Sequence, residues 1–429
     1  MIGLCLSVCV AFAAPFQEPV QSDGLTQFPG TQEPAKTAPL GFEAQPPSLG
    51  KGLYPWLAVD AAGTISASWT EPRPAAGHAL LWAQRKPDGS WNKPEQIAAG
   101  EDWFVNWADH PMHAVDEQGR VLATWLQKVP GSIYSYQVQT RLRELDGKWG
   151  EARLLHDDLS PTEHGFVSIA PSQGGGFVVA WLDGRATVDK QAMQLRARRV
   201  LADGSFGPEL LIDPRVCDCC GTSLRAAPDG SFSLSFRNRS AEEIRDLGRI
   251  RLGLADGDKL QLEALPAPAD GWVMPGCPVN GPAQAADSER IATAWFTMQP
   301  TPRVRLGYGM QVLSLTEGAG VAGRVAVAAT KDGFAVAWLE TRNAQTAWWL
   351  QELHRKPSPT PSRDGAQILV PAGPAQPIAA TTGSRADGFL RLAPTKTGVL
   401  AIWTDGKAKR LQAREILATK AKEDRGEGK

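Results

Sequence analysis

A chain of 429 residues with 42% hydrophobic side chains is long enough for one large all-β domain or two to three ordinary ones. Its 45 basic and 46 acidic residues leave a net charge of -1, which removes the electrostatic case for a nucleic-acid partner. The 15 tryptophans against 4 tyrosines are a bias that needs a structural cause.

The N-terminus, "MIGLCLSVCVAFAAPFQEP", is apolar up to Glu18 and carries an A-x-A site at Ala11-Phe12-Ala13. This pattern predicts a secretory signal peptide over residues 1–14 and export to the periplasm or the cell exterior, although no Lys or Arg precedes the apolar run. The run is too short for a comfortable membrane span. A minority reading puts a lipid anchor at Cys9 in "LSVC", where Val8 is bulkier than the residue usually found before a lipidated cysteine. Residues 15–50 are rich in Pro, Gly and Gln without sustained periodicity, and read as a tether or irregular strap.

From residue 51 to about 418 the chain repeats itself. "YPWLAVDAAGTISASW", "HPMHAVDEQGRVLATW", "GFVSIAPSQGGGFVVAW", "GTSLRAAPDGSFSLSF", "GPAQAADSERIATAW", "RVAVAATKDGFAVAW" and "FLRLAPTKTGVLAIW" each join a short apolar strand, a tight turn and an alternating strand ending in an aromatic residue. Those aromatics, Trp69, Trp125, Trp181, Phe236, Trp295, Trp338 and Trp403, recur about every 56 residues. Second hairpins fill the gaps, three of them marked by Asp88-Gly89-Ser90-Trp91, Asp146-Gly147-Lys148-Trp149 and Asp203-Gly204-Ser205-Phe206, which suggest two-residue turns with positive φ at both central positions. The expectation is an all-β β-propeller of four-stranded antiparallel blades, seven in number, with six and an irregular remainder as the alternative. The terminal aromatics are then packing between blades, not a ligand box. No fourth strand is evident after "KRLQAREIL", so residues 41–50 are expected to close the ring, and 419–429 form a solvated charged tail.

If strands A to D run from centre to rim, the D-to-A crossovers and B-to-C loops share one face, and the A-to-B and C-to-D turns share the other. The unusual segments all fall on the first face: "VNWADHP" (105–111), "TEHGFVS" (162–168), "VCDCCGTS" (216–223), "PGCPVNGP" (275–282) and the loop "RNRSAEEIRDLGR" (237–249). They are expected to ring the mouth of one central channel. Ser240 to Glu243, "SAEE", fits a capping box at a helix start.

The repeats, with "CDCC", "RNRSAEEIRD" and "GCPVNGP", resemble an exported bacterial family of sialidase-like β-propellers, of the exo-alpha-sialidase or BNR type, over most of residues 51–415. The resemblance implies the fold more firmly than an activity. A sialidase needs three arginines on a carboxylate, a Tyr–Glu nucleophile and an acidic proton donor. Arg73, Arg185, Arg237, Arg239 and Arg342 sit at blade tops, but none of Tyr54, Tyr134, Tyr136 and Tyr308 has an evident partner Glu beside the channel, and the S-x-D-x-G-x-x-W box is only approximated. The leading expectation is a propeller that binds a small ligand, a glycan or an envelope protein at the channel mouth, with His110, His164, Arg185, Arg237, Arg239 and Asn280 as candidate contacts. The alternative is a glycosidase-type hydrolase, with Asp109, Glu243 and Asp246 as acids or bases.

Cys217, Cys219, Cys220 and Cys277 admit three readings. Two disulfides would suit an oxidising compartment, one joining Cys277 to the cluster and so stapling blades four and five, the other closing within it; Cys219 with Cys220 would be strained, Cys217 with Cys220 less so. A copper or zinc site using thiolates near His110 or His164, with Asp109 and Asp218 as additions, is the second. A redox-active dithiol beside Arg215 is the third.

Overall fold

The structure is a computed structural model, and it describes residues 51–419 except 256–257 and 359–366. The expected signal peptide, the expected 15–50 strap and ring-closing segment, Cys9 and the charged tail beyond Thr419 therefore lie outside the described residues. Seven antiparallel sheets form a ring, each laid down in simple sequence order from inner to outer strand. The inner strands are Leu53–Val59, Met112–Val115, His164–Pro171, Ser223–Ala226, Ala283–Ala286, Val321–Ala329 and Arg391–Pro394. Each lies beside the next, and the last packs on the first. Blade 6 carries two segments on its outer edge, Gln367–Pro371 and Gln376–Ala380, while blade 7 has three strands among the described residues.

Second strands are sandwiched between neighbouring blades and largely buried on both faces, some with hydroxyl side chains along one of them, as Ser66, Ser68 and Thr70 in Ile65–Arg73; Phe177–Asp183 is buried at every position. Third strands lie nearer the rim, and two of them, Tyr136–Arg143 and Arg303–Tyr308, alternate between buried and partly exposed positions. All seven terminal aromatics are buried, Trp181, Trp295 and Trp338 completely. Trp149 and Phe206 of the outer turns pack backwards: Trp149 edge-on to Trp82 of blade 1, Phe206 under Arg153 of blade 2.

The outer turns differ from the expected two-residue form. Gly89, Gly147 and Gly204 have φ of 86°, 84° and 78°, but the preceding aspartates do not adopt positive φ. Each Asp carboxylate instead accepts the N–H two residues on, as Asp88 does from Ser90 at 2.8 Å. That bond holds Asp in an ordinary conformation and leaves a single left-handed position for glycine. "SAEE" does not start a helix either. The Ser240 hydroxyl accepts from Glu242 and Ile244, both at 3.1 Å, and Glu243 takes φ of 61°, which ends any helical turn before the chain re-enters a strand at Leu247.

Candidate functional site

All seven blades line a narrow central cavity of about 80 Å³, including residues from four of the five unusual segments; the 237–249 loop is not among the lining residues. The cavity's charged lining is one-sided. Arg225 donates through Nε to Gln284 O at 2.9 Å, and Arg391 donates to His110 Nε2 while stacking over Trp56 at 4.7 Å. Neither guanidinium has a carboxylate partner among the described residues, and the Arg391 Nε is buried without any acceptor. Burial and the nearby Arg225 charge bring Arg391 down to about 9; burial also lowers Arg225. His110 donates from Nδ1 to Pro111 O at 3.2 Å and accepts at Nε2, so it is neutral, and burial followed by Arg391 lowers it to about 3.

Asp109, the one acid of the cavity wall among the described residues, is spoken for. Asp109 accepts the Phe166 N–H at 2.7 Å, and its other oxygen lies 2.9 Å from the Tyr136 hydroxyl, which is also 2.6 Å from Glu163. A phenol has a single proton. If Tyr136 donates it to Glu163, the contact with Asp109 requires a protonated carboxyl as donor. Burial supports this arrangement, raising Asp109 to about 8 and Glu163 to about 7. The close fit explains Gly165: a Cβ there would collide with Asp109 Oδ2. So Tyr136 does have a partner Glu, contrary to the sequence expectation, but the tyrosine is fully buried and its hydroxyl is raised well above 10 by that burial.

Glu163 faces outward into a second space on the same side, a groove of about 310 Å³ lined also by Tyr134, Pro161, Gln191, Asp218 and Arg239. Its loops carry exposed Ile133, Tyr134, Leu159 and Val188. The Asp109–Tyr136–Glu163 chain thus forms the wall between channel and groove.

The other expected contacts each have partners within the protein. His164 is buried, 3.1 Å from Asp158 and stacked on His156 at 4.0 Å. Arg185 forks onto Asp183 at 2.7 Å through two nitrogens and reaches Glu209 at 2.8 Å. Arg237 is buried and donates to the carbonyls of Arg245, Asn280 and Phe296. Arg239 is paired with Glu243 at 2.9 Å and Asp218 at 3.6 Å, and Arg342 with Glu340 at 2.6 Å. Asp246 accepts the N–H groups of Gly271 and Trp272, and Asn280 holds the Arg324 N–H at 2.7 Å. Asp109, Glu243 and Asp246 each answer to different partners and do not converge on one space.

Cys219 and Cys277 form a disulfide across blades 4 and 5, with Cα atoms 5.8 Å apart. Cys217 and Cys220 are buried thiols with sulfurs 3.4 Å apart, and Cys217 Sγ lies 3.9 Å from Cys219 Sγ. The Asn280 N–H points at Cys220 Sγ from 3.3 Å. The Cys220 thiol, then the Cys219 N–H and the Arg245 charge, lower Cys217 to about 7, whereas burial pushes Cys220 well up. Three cysteine sulfurs, of Cys217, Cys219 and Cys220, are close enough to share a copper or zinc ion, but Cys219 is a ligand only once the disulfide is opened. His110, His164 and Asp109 face other partners, and with the bridge closed Cys217 and Cys220 offer a two-thiolate set, which suits Cu(I) better than tetrahedral zinc.

Arg225 and Arg391 escaped the sequence reading; Tyr136 was weighed there as a nucleophile without an evident Glu, and Glu163 lay unsingled within "TEHGFVS". The two arginines do leave a trace, as charges set beside apolar residues of an inner strand in "SLRAAP" and "FLRLAP". The pairing of Tyr136 with Glu163 leaves none, since Tyr136 looks like any apolar position of an alternating strand.

No family model matches the chain, and no curated protein matches it in sequence. Solved structures similar to it include sialidases and another β-propeller glycosidase. The intramolecular trans-sialidase from Ruminococcus gnavus is 10% identical, with a TM-score of 0.43 over 87% of this chain and 95% of that one. The leech intramolecular trans-sialidase is 10% identical, with a TM-score of 0.43 over 89% and 70%. The α-L-arabinanase of Penicillium chrysogenum is 14% identical, with a TM-score of 0.42 over 68% and 91%. Likeness at this level transfers no residue roles.

Proposed function

We propose that this chain is an exported sialidase-like propeller that binds an acidic ligand at the mouth of its central channel, the acidic group held by Arg225 and Arg391. Export rests on the apolar segment of residues 1–14. The observation that carries the binding reading is the pair of guanidiniums lining one cavity with no carboxylate paired to either among the described residues. Two uncompensated cations in a desolvated space repel each other, and an entering anion relieves both. The cavity, at about 80 Å³, takes an oxyanion or the acidic end of a larger ligand, whose body would rest on the loops above.

Calorimetry at low ionic strength tests this with sulfate, phosphate, galacturonate and N-acetylneuraminate, and galactose as the neutral control. Acidic probes should bind, galactose should not, and Arg391→Met or Arg225→Met should each weaken binding by roughly 10- to 100-fold, the worth of one charge-assisted hydrogen bond. Failure of every acidic probe, or variants that bind as well as the parent, would sink the reading.

A hydrolase is favoured by a different observation. Glu163, raised to about 7, faces the groove together with Asp218, which suits a general acid and its partner. On that reading an aryl glycoside is cleaved with an activity that declines as pH rises through about 7, and Glu163→Gln abolishes it. The sign follows because a general acid must be protonated. Absence of turnover on a panel of aryl glycosides would leave binding alone.

A further inference from the structure

We propose that the four cysteines form a thiol–disulfide exchange site that delivers two reducing equivalents, stored in Cys217 and Cys220, to a substrate disulfide at the exposed Cys277. The basis is placement. One disulfide and two thiols occupy the same spot; the thiols are buried while Cys277 is exposed, and every step needed to connect them is between adjacent sulfurs. A staple alone would need only Cys219 and Cys277.

The chemistry balances without an outside oxidant until the substrate arrives. Cys217 Sγ, as thiolate, attacks Cys219 Sγ from 3.9 Å; the Cys217–Cys219 bond forms, the Cys219–Cys277 bond breaks, and the electron pair leaves on Cys277. Cys220 Sγ, 3.4 Å from Cys217, then attacks Cys217 and expels Cys219, to which its proton passes. The four sulfurs still hold one disulfide and two thiols, but the disulfide is now Cys217–Cys220 and the dithiol includes the exposed Cys277. Cys277 thiolate attacks the substrate disulfide and releases one substrate thiol. Cys219 resolves the mixed disulfide, releases the second thiol and restores Cys219–Cys277. The protein ends with two disulfides, oxidised by two electrons, and the substrate with two thiols. Arg245, 3.5 Å from Asp218 and beside Cys217, favours the attacking anion, and the groove that includes Asp218 opens alongside. The substrate class is a disulfide carried by a peptide or a small thiol.

The test brings the protein to its one-disulfide state in a glutathione redox buffer, removes the buffer and adds 4,4′-dithiodipyridine. Folded protein should release two equivalents of thiopyridone within minutes and end with Cys217–Cys220 and Cys219–Cys277 bridges and no pyridyl adduct by mass spectrometry. In Cys220→Ser one equivalent should be released, with the pyridyl group retained on Cys277, since only internal exchange exposes that sulfur as a nucleophile. An adduct on Cys217, release only after unfolding, or a one-disulfide state that never accumulates would overturn the proposal. Should the variant not fold, native iodoacetamide labelling of the one-disulfide parent decides: alkylation at Cys277 supports exchange, and its absence with Cys219–Cys277 intact refutes it.

Discussion

Asp109→Asn is expected to make the protein more stable than its parent at pH 8.5 and to flatten its stability profile between about pH 4 and 8. Asp109 titrates at 3.8 when unperturbed and at about 8 in the folded chain, because burial removes water from the anion. Between those values the folded state holds a proton that the unfolded state has lost. Stability is therefore full below about pH 4 and falls as pH rises through about 8, by up to ~1.4 kcal/mol per pH unit. Asparagine reproduces the neutral acid: its Oδ1 accepts from Phe166, and its Nδ2 donates to the Tyr136 hydroxyl, which keeps its bond to Glu163. The variant should gain about 3 kcal/mol or more over the parent at pH 8.5 and little at pH 4, with Glu163 supplying the slope that remains. Thermal unfolding across pH measures both. Parallel curves for parent and variant would show that Asp109 carries no proton in the folded state.

The second large effect is expected at Arg237, which the sequence offers as an anion clamp and the structure uses as a tie. Its guanidinium spans 2.6 Å to Asn280 O, 2.8 Å to Phe296 O and 2.8 Å to Arg245 O, and sits 5.1 Å over the Trp272 ring. Three carbonyls from blade 4, blade 5 and the crossover between them converge on one buried cation. Arg237→Met removes the charge but strands all three acceptors, for a loss of about 3–5 kcal/mol. Arg237→Lys should recover little, since an ammonium on a flexible stem cannot copy the planar fork. A fall in melting temperature for both variants, with acidic-probe affinity at the channel unchanged in protein that remains folded, is the expected result. Intact stability with lost binding would return Arg237 to the ligand site.

These two residues also mark how much of the site was legible beforehand. The "CDCC" and "GCPVNGP" segments were expected to meet at adjacent blades and do so through Cys219 and Cys277. His110 was expected at the channel and lines it. Arg185, Arg239 and Arg342 looked like free cations at blade tops, yet each has its own carboxylate two or four residues away. Arg225 and Arg391, read as strand residues, have no carboxylate partner among the described residues. Tyr136 and Glu163 are separated by 27 residues and meet because the third strand of blade 2 abuts the inner strand of blade 3.

What the sequence determined by itself is the repeating unit. Strand alternation, tight turns and a terminal aromatic act within a few residues of each other, so their physics is local and repeats visibly seven times. What only the tertiary structure decided is charge and protonation. Whether an arginine is paired, a carboxyl keeps its proton or a thiol has a sulfur to attack depends on which side chains from other blades arrive beside it and how much water they displace, and no short stretch of chain contains that information.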